Sequence, residues 1–293
     1  MDRVKQTQKL TLACLIGNLL LTVLKFIAGF IGRSTAMLAD AAHSLSDILT
    51  DIILLFGVKF ASKPADKEHP YGHGRIETLC ALFIAVFLIV VAASIFMASL
   101  KEIRQLLQGA IVQKPGIIAL IMAFVSVIVK EIMYQYSVKI GRQINSLAVI
   151  TNAWHHRSDA FSSLAALIGI GGAILLGGKW IILDPLVGII ISIVIFIIAI
   201  KMSKTSVDEI IDRALPEEEI KRIKKIALSI EGIKNPHAIK TRRSSYKIFI
   251  DLHIDIDKET SFIQAHDKTA LLEKELKKIY GPKAVIIVHA EPI

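Results

Sequence analysis

Residues 34–60 read STAMLADAAHSLSDILTDIILLFGVKF, and the fold turns on the spacing of the ionisable groups within them. Asp40, His43, Asp47 and Asp51 follow one another at steps of three, four and four, which places all of them on one face of an α-helix. The run around them is apolar and long enough to cross a bilayer. A carboxylate at mid-bilayer costs about 2.5–3.5 kcal/mol on insertion scales, so a stripe of them demands a compensating partner. A second apolar run, residues 148–176, repeats the pattern with Asn152, His155 or His156, and Asp159. Two His/Asp pairs facing each other inside a membrane describe a site for a divalent metal ion.

Working outward, the chain of 293 residues is 53% hydrophobic with a mean hydropathy of +0.57, the composition of an integral membrane protein. Charged residues nevertheless make up 21% of it and crowd toward the C-terminal end, beyond about Lys201. A membrane domain over residues 1–206 and a soluble domain over 207–293 are therefore expected. Six spans can be drawn, at about 10–31, 36–60, 78–100, 115–138, 148–176 and 181–202. The first is too long for the core of a signal peptide and is expected to stay as a transmembrane helix.

An even number of spans puts both termini on one side. Twelve lysines and arginines flank the spans on that side and five on the other, which predicts a multi-pass protein with both termini in the cytoplasm. The same rule accounts for the net charge of +9, whose basic residues are scattered through loops, so no nucleic-acid partner is expected. Cys14 and Cys80 are the only cysteines, which excludes a disulfide framework and a CxxC metal knuckle. GxSxG, HExxH, P-loop and dinucleotide fingerprints are all missing. Any metal chemistry must use His, Asp and Glu, and an enzyme is not expected.

His43 and Asp47 stand at i and i+4, so both can reach one ion. Asp159 has His155 at i−4 and His156 at i−3, and spacing alone does not choose between them. Two imidazoles with two carboxylates suit tetrahedral Zn2+, while Cd2+, Co2+, Fe2+ and Mn2+ remain chemically compatible. Cross-helix pairing without a metal is the bland alternative, and the repeated spacing favours the metal. Asp40 and Asp51 are expected to line an access route or to face water near a helix end.

Two further groups stand outside the spans. In the loop PADKEHPYGHGR of residues 64–75, Asp66, His69 and His73 can close on one ion, or the histidines can simply be solvated. The tail holds four of the nine histidines, His237, His253, His266 and His289, with Glu291 beside the last. Its rhythm is α-β-β-α-β. An acidic-start helix follows Pro216, strands run over 237–243 and 246–256, a helix covers 261–280 and a last strand covers 284–289. That order predicts a small α+β domain with helices on one face of a sheet.

Together these residues resemble the cation diffusion facilitator family of metal/proton antiporters over nearly the whole chain. The resemblance implies a bundle of six transmembrane helices with a cytoplasmic, metallochaperone-like α+β domain, working as a homodimer in the cell membrane. It implies a transport site at His43, Asp47, His155 and Asp159, which selects His155 over His156. It implies a loop site at Asp66, His69 and His73, and a tail site at His237, His253, His266 and His289. In that site Glu291 stands where an aspartate is common and Ala290 replaces a sometimes polar residue. It further implies that Arg75 pairs with Asp212, and that the His/Asp set is of the zinc type. The function expected is efflux of a divalent cation, Zn2+ foremost, in exchange for protons; the alternative is a membrane metal sensor without transport.

Overall fold

The computed structural model describes the backbone of residues 3–52, 63–110, 113–143, 147–245 and 247–293, with their side chains apart from 3–11, 50–52, 147–152 and 155. The chain divides into two compact units, Met1–Ile52 with Ile84–Lys201, and Ile53–Phe83 with Met202–Ile293. Among the described residues, six long helices supply most of the first: α1 (Arg3–Ile31), α2 (Thr35–Ile52), α3 (Arg75–Leu107), α4 (Ile117–Gln143), α5 (Leu147–Leu176) and α6 (Leu183–Ile210), with the first residues of α3, through Phe83, and the last of α6, from Met202, counted in the second. A 3-10 turn, Gly178–Ile182, leads into α6. Among the described residues five segments are long and apolar enough to cross a membrane: Leu12–Ile31, Arg75–Leu107, Ile117–Gln143, His156–Leu176 and Gly178–Ile210. The sixth helix of the bundle is α2, whose acids lower its hydropathy; residues 53–60 of the span expected there lie outside the described residues.

Small side chains let α2 sit between two cores. On one side Ala36 and Met37 pack with Leu21 and Ala28 of α1, Ala119, Met122 and Ala123 of α4, and Ala166 and Ile170 of α5. On the other, Ala39 and Ala42 pack with Leu88 and Ala92 of α3 and Ile191, Ile195 and Ala199 of α6. Lipid offers helices no hydrophobic drive to associate, so such close van der Waals fit has to hold them. The start of α2 is tied by hydrogen bonds. Asp184 of α6 accepts from the Ser34 hydroxyl at 2.5 Å and from the Thr35 N–H at 2.8 Å, while Ser34 Oγ accepts from Met37 N at 3.0 Å. An anion at a helix N-terminus also opposes the helix dipole.

The third and sixth helices outrun their expected spans of 78–100 and 181–202. Their ends carry Lys101, Glu102, Arg104, Lys204, Asp208 and Glu209. Charges of this kind stop a lipid-facing run but not a helix.

In the second unit, α7 (Glu217–Leu228), β1 (Lys234–Ser244), β2 (Lys247–Ile256), α8 (Phe262–Tyr280) and β3 (Val285–Pro292) follow in the expected order. The sheet order is β1-β2-β3, with β1 antiparallel and β3 parallel to β2. The period-two pattern of β2 sends Ile250, Leu252, Ile254 and Ile256 into the core, against Ile223 and Ala227 of α7 and Leu272 and Leu276 of α8. Phe249, Asp251, His253 and Asp255 take the alternate positions. The crossover helix α8 begins with a capping box in which Ser261 and Gln264 serve each other's backbone.

Close approach of α5 and α6 rests on Gly169, where an added Cβ meets Val187 Cγ2 at 2.7 Å and the Leu183 carbonyl at 3.1 Å. Gly169→Val is expected to cost about 1–3 kcal/mol through overpacking. Thermal unfolding in detergent, with Gly171→Val as the roomier comparison at 3.4 Å from its nearest neighbour, measures it.

Candidate metal centres

Among the described residues three clusters each offer ligand atoms within 4.8 Å of one another: His43 with Asp47 and Asp159, Asp66 with His69 and His73, and His237 with His253 and Glu291. The structure contains no ion, and these are geometric sets.

The first lies between packed helices α2 and α5. The i, i+4 spacing brings His43 and Asp47 together, and α5 delivers Asp159, which is buried. His43 Nδ1 is buried with no hydrogen-bond partner among the described residues. A buried, unsatisfied imidazole nitrogen costs energy unless a ligand uses it, so the donor set fits a metal better than a sealed interface. The side chain of His155, expected as fourth ligand, lies outside the described residues, as do those of Asn152 and Asp51. His156 is buried but does not belong to the set.

Asp40 corrects an expectation. It neither lines a water route nor faces solvent: it is fully buried and ion-paired to Lys25 of α1 at 2.7 Å. Ser162 and Ser163 of α5 donate to its two oxygens at 2.8 and 2.9 Å, and Lys25 also donates to Ser44 at 3.0 Å and Ser163 at 2.9 Å. A second buried lysine, Lys130 of α4, donates to Asp159 Oδ2 at 2.8 Å. Neither lysine was singled out in the sequence, where each is one cation in an apolar run. A signal existed: a lone intramembrane lysine requires an anion inside the bundle.

The loop cluster is built on a turn. Asp66 Oδ1 accepts from the N–H groups of His69 at 2.7 Å and Glu68 at 3.1 Å, and Gly72 turns the chain at φ 88°. His69 Nδ1 and His73 Nε2 each lie 3.4 Å from an Asp66 oxygen. The His69 backbone bond, and after it the histidine charges, hold the Asp66 carboxyl below its ordinary value.

Sheet register builds the tail cluster. His237 of β1 pairs with His253 of β2, which pairs with His289 of β3, so three histidines separated in sequence form one row. Two residues further on, Asp255 pairs with Glu291. Glu291 Oε1 lies 2.7 Å from His253 Nδ1 and 3.9 Å from His289 Nε2, and its Oε2 lies 3.3 Å from His237 Nε2. Irregular pairing on both sides of His237 accompanies left-handed backbone at Asn235 (φ 42°) and Ala238 (φ 48°). The Asn235 carbonyl, then the carboxylates of Glu291 and Asp255, raise the His237 pKa above its ordinary value. His266, on α8, is exposed and lines a pocket with Glu291 but stands outside the close trio, as does His289.

Within the same unit, the Arg75 guanidinium pairs with the Asp212 carboxylate as the resemblance implies, and donates to the Ile210 carbonyl at 2.8 Å. Thr78 donates to Glu209 at 2.7 Å.

Residues 11–211 match the family model of the cation efflux transmembrane domain, and residues 215–293 that of the cation efflux protein cytoplasmic domain. The manganese efflux system protein MneP of Bacillus subtilis is 30% identical across 99% of this chain and 98% of its own length. Metal tolerance protein C1 of Arabidopsis thaliana is 35% identical over 93% of the chain, which spans 59% of that protein. The metal-bound C-terminal domain of the CzcD transporter from Thermotoga maritima is 27% identical over 27% of this chain and 94% of the solved domain, with a TM-score of 0.24.

The Lys25–Asp40 pair generates a test. Lys25→Met leaves a buried carboxylate uncompensated and is expected to destabilise the bundle by about 3–5 kcal/mol. Lys25→Met/Asp40→Leu should recover most of that loss in detergent unfolding. Equal losses in single and double variants would show that the pair is not the source.

Proposed function

Because the chain belongs to the cation efflux, or cation diffusion facilitator, family and is a cation efflux transporter, we propose that it exports Zn2+ in exchange for protons. The observation that carries this reading is the convergence of His43, Asp47 and Asp159, from two helices of an apolar bundle, on one point. The fourth ligand of this reading is His155, assigned on the family resemblance. Zn2+ takes imidazole nitrogen and carboxylate oxygen in tetrahedral array, which supports it, with Mn2+, Fe2+, Co2+ and Cd2+ as the alternatives the flux measurement compares.

Coupling to protons follows from ligand chemistry. A metal needs neutral imidazole and ionised carboxylate, so ion and protons exclude each other at these atoms. His43 and His155 are the groups whose ordinary pKa lies nearest physiological pH. Loading from one side and release by protonation at the other requires that the site open alternately. In this reading residues 1–206 carry transport in the cell membrane, with both termini in the cytoplasm. Residues 207–293 sense the metal through the His237, His253, His266, His289 and Glu291 cluster and pair with a second copy. The Asp66 loop holds a further ion.

Reconstituted vesicles should take up Zn2+ in proportion to an imposed pH gradient, faster than Mn2+. Asp47→Ala and Asp159→Ala should each abolish that uptake; undiminished flux in both would sink the assignment. For the tail, His237→Ala/His253→Ala in the full chain should leave the maximal rate near wild type but shift the Zn2+ concentration at which activity rises. An unshifted curve would remove the regulatory role.

A further inference from the structure

The membrane unit holds two buried lysine–carboxylate pairs that differ in one respect. Lys25 has Asp40, Ser44 and Ser163 as acceptors, at 2.7, 3.0 and 2.9 Å, so all three of its ammonium protons are engaged. Its partner Asp40 is equally well held, by Ser162 and Ser163. Lys130 is as deeply buried, yet among the described residues its single acceptor is Asp159, at 2.8 Å. The first pair is saturated. The second leaves two ammonium protons without a fixed acceptor, so it has less to lose when the carboxylate finds a better partner.

That carboxylate belongs to the set formed with His43 and Asp47. Two ionised carboxylates beside an imidazole, without a cation, are unfavourable in a medium of low dielectric. Lys130 brings a positive charge to Asp159 from a helix, α4, that contributes none of the three ligands. An incoming divalent ion must share or take the oxygen that the ammonium holds, and must approach against its positive charge.

We propose that Lys130 is a tethered counter-cation: it neutralises Asp159 when the ion is absent and competes with the ion for that carboxylate when it arrives. Lys130 is thus a positioning and affinity-setting residue, not a ligand. Its competition keeps the ion releasable, and its charge offsets that of Asp159 when the ion is absent. The inference rests on the transport-site reading above, and its test separates the two.

The experiment is Zn2+ titration by calorimetry of the full-length protein in lipid nanodiscs, with the loop and tail clusters silenced by Asp66→Ala, His237→Ala and His253→Ala. In this background Lys130→Met should bind Zn2+ at least tenfold more tightly, and Lys130→Arg should bind as the parent does. In vesicles Lys130→Met should lower both the half-saturating Zn2+ concentration and the maximal rate, and Lys130→Arg should restore both. A merely structural lysine predicts the opposite sign, weaker binding after its removal. Should Lys130→Met fail to fold, Lys130→Gln takes its place with the same expected tightening. Asp159→Asn is the control: loss of binding there with unchanged or weakened affinity in the Lys130 variants overturns the counter-cation alone. Persistent binding in Asp159→Asn overturns the site beneath it.

Discussion

A charge enclosed by apolar helices must find its opposite within the protein, because neither lipid nor neighbouring methyl groups can solvate it. Much of the membrane unit follows from that constraint. Asp40 on α2 draws Lys25 from α1 and two serines from α5. Asp159 on α5 draws Lys130 from α4. Asp184 on α6 is placed where the first turn of α2 offers donors. Each pairing links helices that lipid alone would leave to separate, and together with alanine- and glycine-lined contacts they fix which helix neighbours which.

The tail meets a different requirement by different means. A small sheet with helices on one face has a continuous apolar core, and its other face is free to carry polar groups. Antiparallel pairing on one side of β2 and parallel pairing on the other bring His237, His253 and His289 into one line, with Glu291 among them. The register does the gathering. A slip of one residue in β3 would turn Glu291 to the opposite face, since side chains alternate along a strand.

Much of this was legible in the residues themselves. The stripe of Asp40, His43, Asp47 and Asp51 declared a helix, because its steps of three and four match a period of 3.6. The alternation of β2 was equally plain, and so was the turn chemistry around Gly72 and His73. What escaped reading was partnership across the chain. Lys25 and Lys130 are single letters in apolar runs, and nothing local says that Asp40 lies opposite one of them and Asp159 opposite the other. Asp40 was therefore expected on an access route or facing water, when it is paired in the interior. The row of tail histidines likewise depends on pairings between residues up to 36 positions apart, and on the irregular backbone at Asn235 and Ala238 that spacing does not announce. Helix ends were misjudged where solvated charges continue the coil beyond the lipid-compatible stretch, as in α3 and α6.

The knot at Lys25 has a mechanical corollary. Its bonds tie α1, α2 and α5 at a level one helical turn from His43 and Asp159, so these three rods cannot shear past one another without stranding a charge. Sliding any one of them along its neighbours would have to break that ammonium's bonds first.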